Sequence, residues 1–148
     1  MKVFIGVDPG QTGAIAFIGV DEINVFDFEE GDALEYLKYI RQGNTCKAVI
    51  EKVSSMPGQG VSSTFKFGIN FGQWIGRLEA LGIPFSFVTP QKWKKAMFDS
   101  MSKGDVKDMS RNRALRLFPE MAASLKRKKD HGRAEALLLA EYARRIDA

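Results

Sequence analysis

The 148-residue sequence predicts an α/β fold, a five-stranded mixed sheet flanked by helices. Three observations carry this. Three alternating apolar runs open the chain with no helix-period segment between them, two further apolar runs then alternate with helical patterns, and the chain after Asp105 is helical apart from a break at Pro119. A meander followed by strand–helix alternation implies a mixed sheet covered by helices.

Lys2 to Val7, Ala14 to Val20 and Ile23 to Phe28 read as the meander, with Gly10, Gly13 and Asp21-Glu22 as turn signals. Asp32 with Glu35 three residues later forms a capping-box pattern. Leu34, Leu37 and Ile40 then share a helical face, and Gly43-Asn44 ends the helix. Strand four runs from Lys47 to Val53. The segment from Ser54 to Ser63, with Pro57, Gly58 and Gly60, is expected to be a loop beside Glu51. From Ser63 or Thr64 to Leu81, Phe67, Phe71, Trp74, Ile75 and Leu78 recur at helical spacing. Gly68, Gly72 and Gly76 form one row along that helix, each costing about 0.8–1 kcal/mol relative to alanine. Something is expected to pack closely there: the sheet or another helix, a second subunit, or backbone phosphates. Gly82-Ile83-Pro84 is a turn, Phe85 to Val88 the fifth strand, and Thr89-Pro90 an N-cap followed by proline at the first helical position. The last helices span Asp105 to Phe118 and Asp130 to Ile146.

A chain of this length fits one domain, residues 1–148, and can bury roughly 68–70% of its unfolded surface. The single cysteine, Cys46, cannot form an internal disulfide and reads as a half-buried thiol in a reducing compartment. No run approaches the roughly 20 apolar residues of a membrane span, and Met1 to Val7 meets Asp8 too soon for a signal peptide. A cytoplasmic location is expected, that of the host cell if the chain is phage-encoded, with no membrane partner.

The net charge is +4 but divided along the chain: residues 1–50 hold 4 Lys/Arg against 8 Asp/Glu, residues 103–148 hold 12 against 7. The basic half suits a polyanion. Asp8 and Glu51 each end an apolar strand, so parallel neighbours would bring both to the carboxyl edge of the sheet, where open α/β folds bind ligands. Asp130, His131 and Glu135 open the final helix, directly after Lys126-Arg127-Lys128-Lys129. Acids beside clustered cations fit a site for metal and phosphate together.

The residues resemble the RuvC-like Holliday junction resolvases, especially compact phage-type members, and the element order is the ribonuclease H-like arrangement. The resemblance spans nearly the whole chain. It rests on Val7-Asp8-Pro9-Gly10 with Thr12-Gly13, Val49-Ile50-Glu51-Lys52-Val53, Phe71-Gly72 through Gly76-Arg77-Leu78, Val88-Thr89-Pro90 with Lys92-Trp93-Lys94-Lys95, and Asp130 through Leu138. It implies Mg²⁺-dependent nicking of four-way and other branched DNA by a homodimer, with two ions per site and Mn²⁺ as a substitute. Hard carboxylate oxygens suit Mg²⁺, and paired ions clamp the attacking and leaving oxygens of a phosphodiester. Asp8 would be shared by both ions, Glu51 would serve the ion that activates water, and Glu135, helped by Asp130, the other.

The last motif departs from the family, in which an Asp or His precedes the final acid by three residues; here that position is Gly132. Asp130 or His131 must fill the role. His131, four before Glu135, shares its face, whereas Asp130, five before, points about 140° away unless it caps the helix. Asp130 is the favoured ligand and His131 a metal neighbour, general acid/base or ordinary first-turn residue. Glu141 reads as solvated, and the early acids Asp21 to Asp32 as turns and surface. The resemblance puts the dimer contact on the helix from Thr64 to Leu81, an aromatic wedge at Phe65 beside Lys66, with Phe67 in the core, and phosphate contacts at Lys103, Lys107 and Arg111; Lys126, Arg127, Lys128, Lys129 and Arg133 complete the expected DNA face. An RNA:DNA hybrid nuclease of the same fold shares this metal chemistry. A non-catalytic branched-DNA binding module would not need the acids, and an actin-like or sugar-kinase phosphotransferase would need a second lobe.

Overall fold

The computed structural model describes residues 1–28, 31–53 and 57–147. Five strands, β1 (Lys2–Asp8), β2 (Ala14–Ile18), β3 (Ile23–Asp27), β4 (Thr45–Glu51) and β5 (Phe85–Val88), form one sheet in the order β3-β2-β1-β4-β5. The β1–β2 and β2–β3 pairs are antiparallel; β1–β4 and β4–β5 are parallel. The mixed sheet expected from the sequence is therefore present. So are its helices: α1 (Ala33–Arg41), α2 (Val61–Ala80), α3 (Pro90–Met97), α4 (Val106–Leu117) and α5 (His131–Ile146).

Strand parity decides which helices cover which face. Val3, Ile5 and Val7 of β1, with Cys46, Ala48 and Ile50 of β4, pack against Leu37 and Ile40 of α1 and Trp74 and Leu78 of α2. The opposite face takes α5, whose Ala136 to Ala140 are fully buried, together with Trp93 and Met97 of α3 and Ala114 of α4. Gly6 faces this second layer. A Cβ there would overlap the Ala136 carbonyl oxygen and the Ala140 nitrogen, so α5 lies directly on the β1 backbone. On α2, Trp74 stacks on Phe28 with ring centroids 4.6 Å apart, and the Arg77 guanidinium lies over the same indole.

Local chemistry explains the helix ends only in part. Thr89 caps α3 by accepting from the Lys92 N–H at 3.3 Å, and Asp105 caps α4 by accepting from the Asp108 N–H at 2.9 Å. The capping box expected at Asp32 does not form: its side chain makes no cap hydrogen bond, and Glu35 faces Lys38 at 3.5 Å instead. Of the loop expected from Ser54 to Ser63, residues 54–56 lie outside the described residues, and α2 already begins at Val61. Between Pro119 and Asp130 the chain forms two 3-10 segments, Pro119–Leu125 and Lys128–Asp130, which the periodicity did not anticipate.

Three surface expectations change. Gly68, Gly72 and Gly76 are exposed, and a Cβ on any of them would meet nothing within 4 Å, so among the described residues neither the sheet nor another helix packs on that row. Glu141 is buried rather than solvated, because α5 is enclosed nearly all round; its carboxylate accepts from Arg144 at 2.6 and 2.9 Å and from Arg145 at 3.3 Å. Cys46 is fully buried, and burial raises its thiol pKa.

Candidate active site

Asp8 and Glu51 meet because the register brings them level. Val7 pairs with Ile50 in the parallel β1–β4 ladder, so the next residue of each strand is an acid, and both sit on the face covered by α5. The second turn of α5 brings Glu135 to the same place. Gly132 permits that approach: a Cβ on it would lie 2.8 Å from the Thr12 carbonyl oxygen and 3.5 Å from Asp8 Oδ2. With this close approach, the position where the family carries a ligand has no room for a side chain.

The three acids feel one another. Burial raises the Asp8 pKa well above the ordinary carboxylate value; the charges of Glu135 and Glu51 and a hydrogen bond shared with Glu135 raise it further, and Lys94 opposes them. Glu135 is pushed up to about 7, by burial first and then by Glu51. Burial also raises Glu51, whose Oε2 accepts from the Trp93 indole N–H at 2.6 Å. Lys94, on α3, lowers all three. Neither Trp93 nor Lys94 was singled out from the sequence as a site residue.

Asp130 does not join this group. It precedes α5, and its carboxylate turns back to accept from the Arg127 backbone N–H and guanidinium at 2.9 Å each, with Arg133 at 3.9 Å. Burial works against its charge, but the Arg127 hydrogen bonds and the Arg133 charge outweigh burial and hold its pKa low. His131 stands beside Glu135, its Nδ1 3.8 Å from Oε2. That nitrogen is buried with no hydrogen-bond partner, and burial together with the Lys107 charge lowers the imidazole pKa. The helical-spacing argument thus gives both side-chain directions, against the choice of Asp130 as ligand.

The basic half divides into cations employed within the protein and cations facing outward. Arg111 donates to the carbonyls of Leu125 (3.1 Å) and Lys126, stapling the 3-10 segment to α4. Arg133 grips Asp27 through two hydrogen bonds of 2.9 and 2.7 Å, which also removes Asp27 from the plain surface acids. Arg127 holds Asp130, and Lys128 reaches Asp105 at 2.6 Å. All four thus have partners within the protein, while Arg127, Lys128 and Arg133 also line the cleft that Lys107 and Lys129 border. Among the described residues Lys66, Lys103, Lys107, Lys126 and Lys129 form no ion pair. Lys107 and Lys129 line a cleft of about 680 Å³ that also takes in His131 and Thr12. Phe65 is 68% exposed, whereas Phe67 is half-buried against Gly10.

Arg111→Ala is therefore expected to destabilise the fold by about 0.5–1.5 kcal/mol, the net range for hydrogen bonds that are only partly buried, without changing the salt dependence of DNA binding. Lys107→Ala should instead reduce that slope by about one. Thermal melts and binding titrations from low to high salt distinguish the two.

The chain is similar over 97% of its length to RuvC of T. thermophilus solved in complex with a Holliday junction substrate, with a TM-score of 0.62, 16% identity and 96% of that chain covered. A second Thermus thermophilus RuvC structure gives a TM-score of 0.60 at 19% identity with the same coverage. The chain has the RuvC fold. The ribonuclease H-like arrangement expected from the element order, and the resemblance its motifs carry, are both borne out. By sequence it is 34% identical over 94 residues to the Holliday junction resolvase MOC1, chloroplastic, of Chlamydomonas reinhardtii. That match takes in 64% of this chain but only 10% of the relative's length. No family model matches. No helix of the described residues is long and apolar enough to cross a membrane.

Among the described residues, no three His, Cys, Asp or Glu side chains stand as placed so that they could hold a metal ion between them. The donors nevertheless fit a hard divalent cation. Burial and mutual charge raise the pKa of both Asp8 and Glu135, Glu51 adds to that repulsion, and His131 Nδ1 beside them has no hydrogen-bond partner among the described residues. Mg²⁺ keeps several waters and needs only a few carboxylates, so an open set suits it.

Proposed function

We propose that this chain is an endonuclease that hydrolyses phosphodiesters in four-way DNA junctions, with Asp8, Glu51 and Glu135 holding divalent metal. The observation that supports it is the convergence of these acids from β1, β4 and α5 around Lys94, within a RuvC fold. Held there by Asp8, Glu51 and Glu135, Mg²⁺ would polarise the phosphoryl group as a Lewis acid and acidify water. The residues do the rest. Trp93 fixes one Glu51 oxygen and leaves the other for metal or water, and α5 closes the site on one side. Lys94 is the counter-ion of the three acids, and with metal charge present its ammonium is freed for a phosphate oxygen. Neutral His131 offers Nδ1 as a proton acceptor or ligand next to Glu135. Lys107 and Lys129 draw the backbone into the adjoining cleft, and Phe65, beside Lys66, offers an open ring to bases unstacked at the junction centre.

The test is cleavage of a four-way junction, a linear duplex and an RNA:DNA hybrid, each with Mg²⁺, with Mn²⁺ and with chelator. Metal-dependent cutting of the junction alone is expected. Preference for the hybrid would favour the other nuclease chemistry open to this fold, and binding without cutting would leave a junction-binding module.

Symmetric nicking calls for a twofold dimer, and the α2 glycine row is where we place it. An exposed row of three glycines weakens a monomer helix by about 3 kcal/mol in total and gains close packing only against a second surface. Gly72→Leu should accordingly raise monomer stability by about 0.5–1 kcal/mol while abolishing dimerisation. Sedimentation velocity beside thermal melts checks both signs, and a dimer that survives the substitution moves the interface elsewhere.

A further inference from the structure

The turn that follows Asp8 is held by two α2 side chains one helical turn apart. Asn70 Oδ1 accepts from the Gly10 backbone N–H at 2.8 Å, and a Cβ at Gly10 would lie 3.3 Å from the Phe67 ring. Pro9 has no N–H, so Gly10 offers the first backbone donor after Asp8, and Asn70 occupies it. The turn has little freedom to compensate. Gly10 adopts φ +123, Gly13 donates to the Gly10 carbonyl at 3.1 Å, and a Cβ at Gly13 would overlap the Asp8 carbonyl oxygen.

Elsewhere α2 rests on the sheet through apolar side chains, among them Trp74, Leu78, Phe71 and Ile75. Such contacts are non-directional: they set the distance between helix and sheet but tolerate small slides along the axis. Among the described residues no other α2 side chain hydrogen-bonds the sheet or its turns. One directional bond thus registers a 20-residue helix against the strand end bearing Asp8.

We propose that Asn70 is a positioning residue for the Asp8 carboxylate, tying the β1–β2 turn to α2 so that the helix carrying the glycine row and Phe65 also sets where Asp8 stands relative to Glu51 and Glu135. This rests on the metal-dependent nuclease reading above. It links the surface that meets a second subunit and the junction centre to the metal-binding acids through one turn of helix. The consequence is a site whose metal affinity depends on the seating of α2.

Asn70→Leu keeps the side-chain shape without the acceptor, and Asn70→Asp keeps the acceptor. Mn²⁺ binding to the DNA-free protein, Gly10 amide exchange by NMR, and junction binding in chelator are measured for both. Asn70→Leu should weaken Mn²⁺ affinity about 10-fold, the lower range for groups that orient a metal ligand. It should also speed Gly10 exchange, leave junction binding in chelator unchanged, and lose cleavage that excess metal restores. Asn70→Asp should recover Gly10 protection and metal binding. Should Asn70→Leu fail to fold, rapid Gly10 exchange in the parent protein would overturn the proposal, and protected exchange with recovery in Asn70→Asp would uphold it. A parent that binds Mn²⁺ and cuts junctions, with an Asn70→Leu variant equal to it in Mn²⁺ affinity and Gly10 exchange, removes the role of Asn70 alone. A parent that does neither removes the nuclease reading, and this proposal with it.

Discussion

Asp8→Asn is expected to reduce junction cleavage by about 10³-fold or more while junction binding in chelator stays near the parent value. A thousandfold loss corresponds to about 4 kcal/mol of transition-state stabilisation, a reasonable demand on an acid whose charge is felt together with those of Glu135 and Glu51. The amide keeps the shape and one oxygen but removes the charge that gathers metal. Binding survives because Lys66, Lys107 and Lys129 lie on other elements. Near-parent nicking in Mg²⁺ by the variant would refute the ligand assignment.

The same substitution is expected to stabilise the metal-free protein. A carboxyl whose pKa rises on folding binds its proton more tightly in the folded state, so its penalty is absent below the unfolded pKa and complete above the folded one. For Glu135 that window runs from 4.5 to about 7, and Asp8 is shifted the same way. Each unit is worth about 1.4 kcal/mol, so relieving part of the shared repulsion should add about 1–3 kcal/mol above neutral pH, or about 3–8 °C in melting temperature. The gain should vanish near pH 4 and shrink when saturating Mg²⁺ neutralises the acids of the parent. Melting curves in chelator across that pH range read it directly.

What the sequence made legible follows from how local each signal is. Asp8 and Glu51 end apolar runs and could be placed at strand ends from their neighbours alone; the pairing that levels them belongs to the β1–β4 ladder. The direction of His131 follows from a four-residue helical offset, and Asp130 shows the same rule working against a preference drawn from the resemblance. Lys94 could not be separated from Lys92 and Lys95, because only the docking of α3 decides which lysine faces the acids. Trp93 left a faint trace: a buried indole needs an acceptor for its N–H, and an acid strand end could provide it. The six-residue gap from Glu135 to Glu141 suggested solvent, yet Arg144 and Arg145 at three and four residues further on were the better clue to a paired, buried carboxylate. The internal partners of Arg111 and Arg133 were not legible, because charge is visible in sequence and the carbonyls and carboxylate that meet it are not.

Gly6→Val is expected to abolish folding at ordinary temperature, a loss above about 4 kcal/mol. The clash at this position cannot be relieved from either side. The added Cβ would overlap the backbone of α5 at Ala136 and Ala140, and backbone atoms cannot rotate aside as a flexible side chain can. Nor can α5 retreat as a body, since Ala136 to Ala140 are wholly enclosed and Leu138 and Leu139 fill the layer formed with α3 and α4. Lifting it by the width of two methyl groups would open voids along the whole β1 contact, and tightly packed interiors tolerate that poorly. Valine's strong preference for strands gives no relief, because propensity is worth at most about 1 kcal/mol. The site would fail with the fold, as Glu135 lies on the turn of α5 just before Ala136. Urea denaturation followed by circular dichroism measures the loss. A cooperative, near-parent midpoint would mean that α5 does not rest on the β1 backbone, and the approach of Glu135 to Asp8 would then need another explanation. Read beside Gly72→Leu, the result separates two kinds of glycine: Gly6 is enclosed by its own chain, whereas Gly72 is open, and only there can a larger residue stabilise the monomer while blocking a partner.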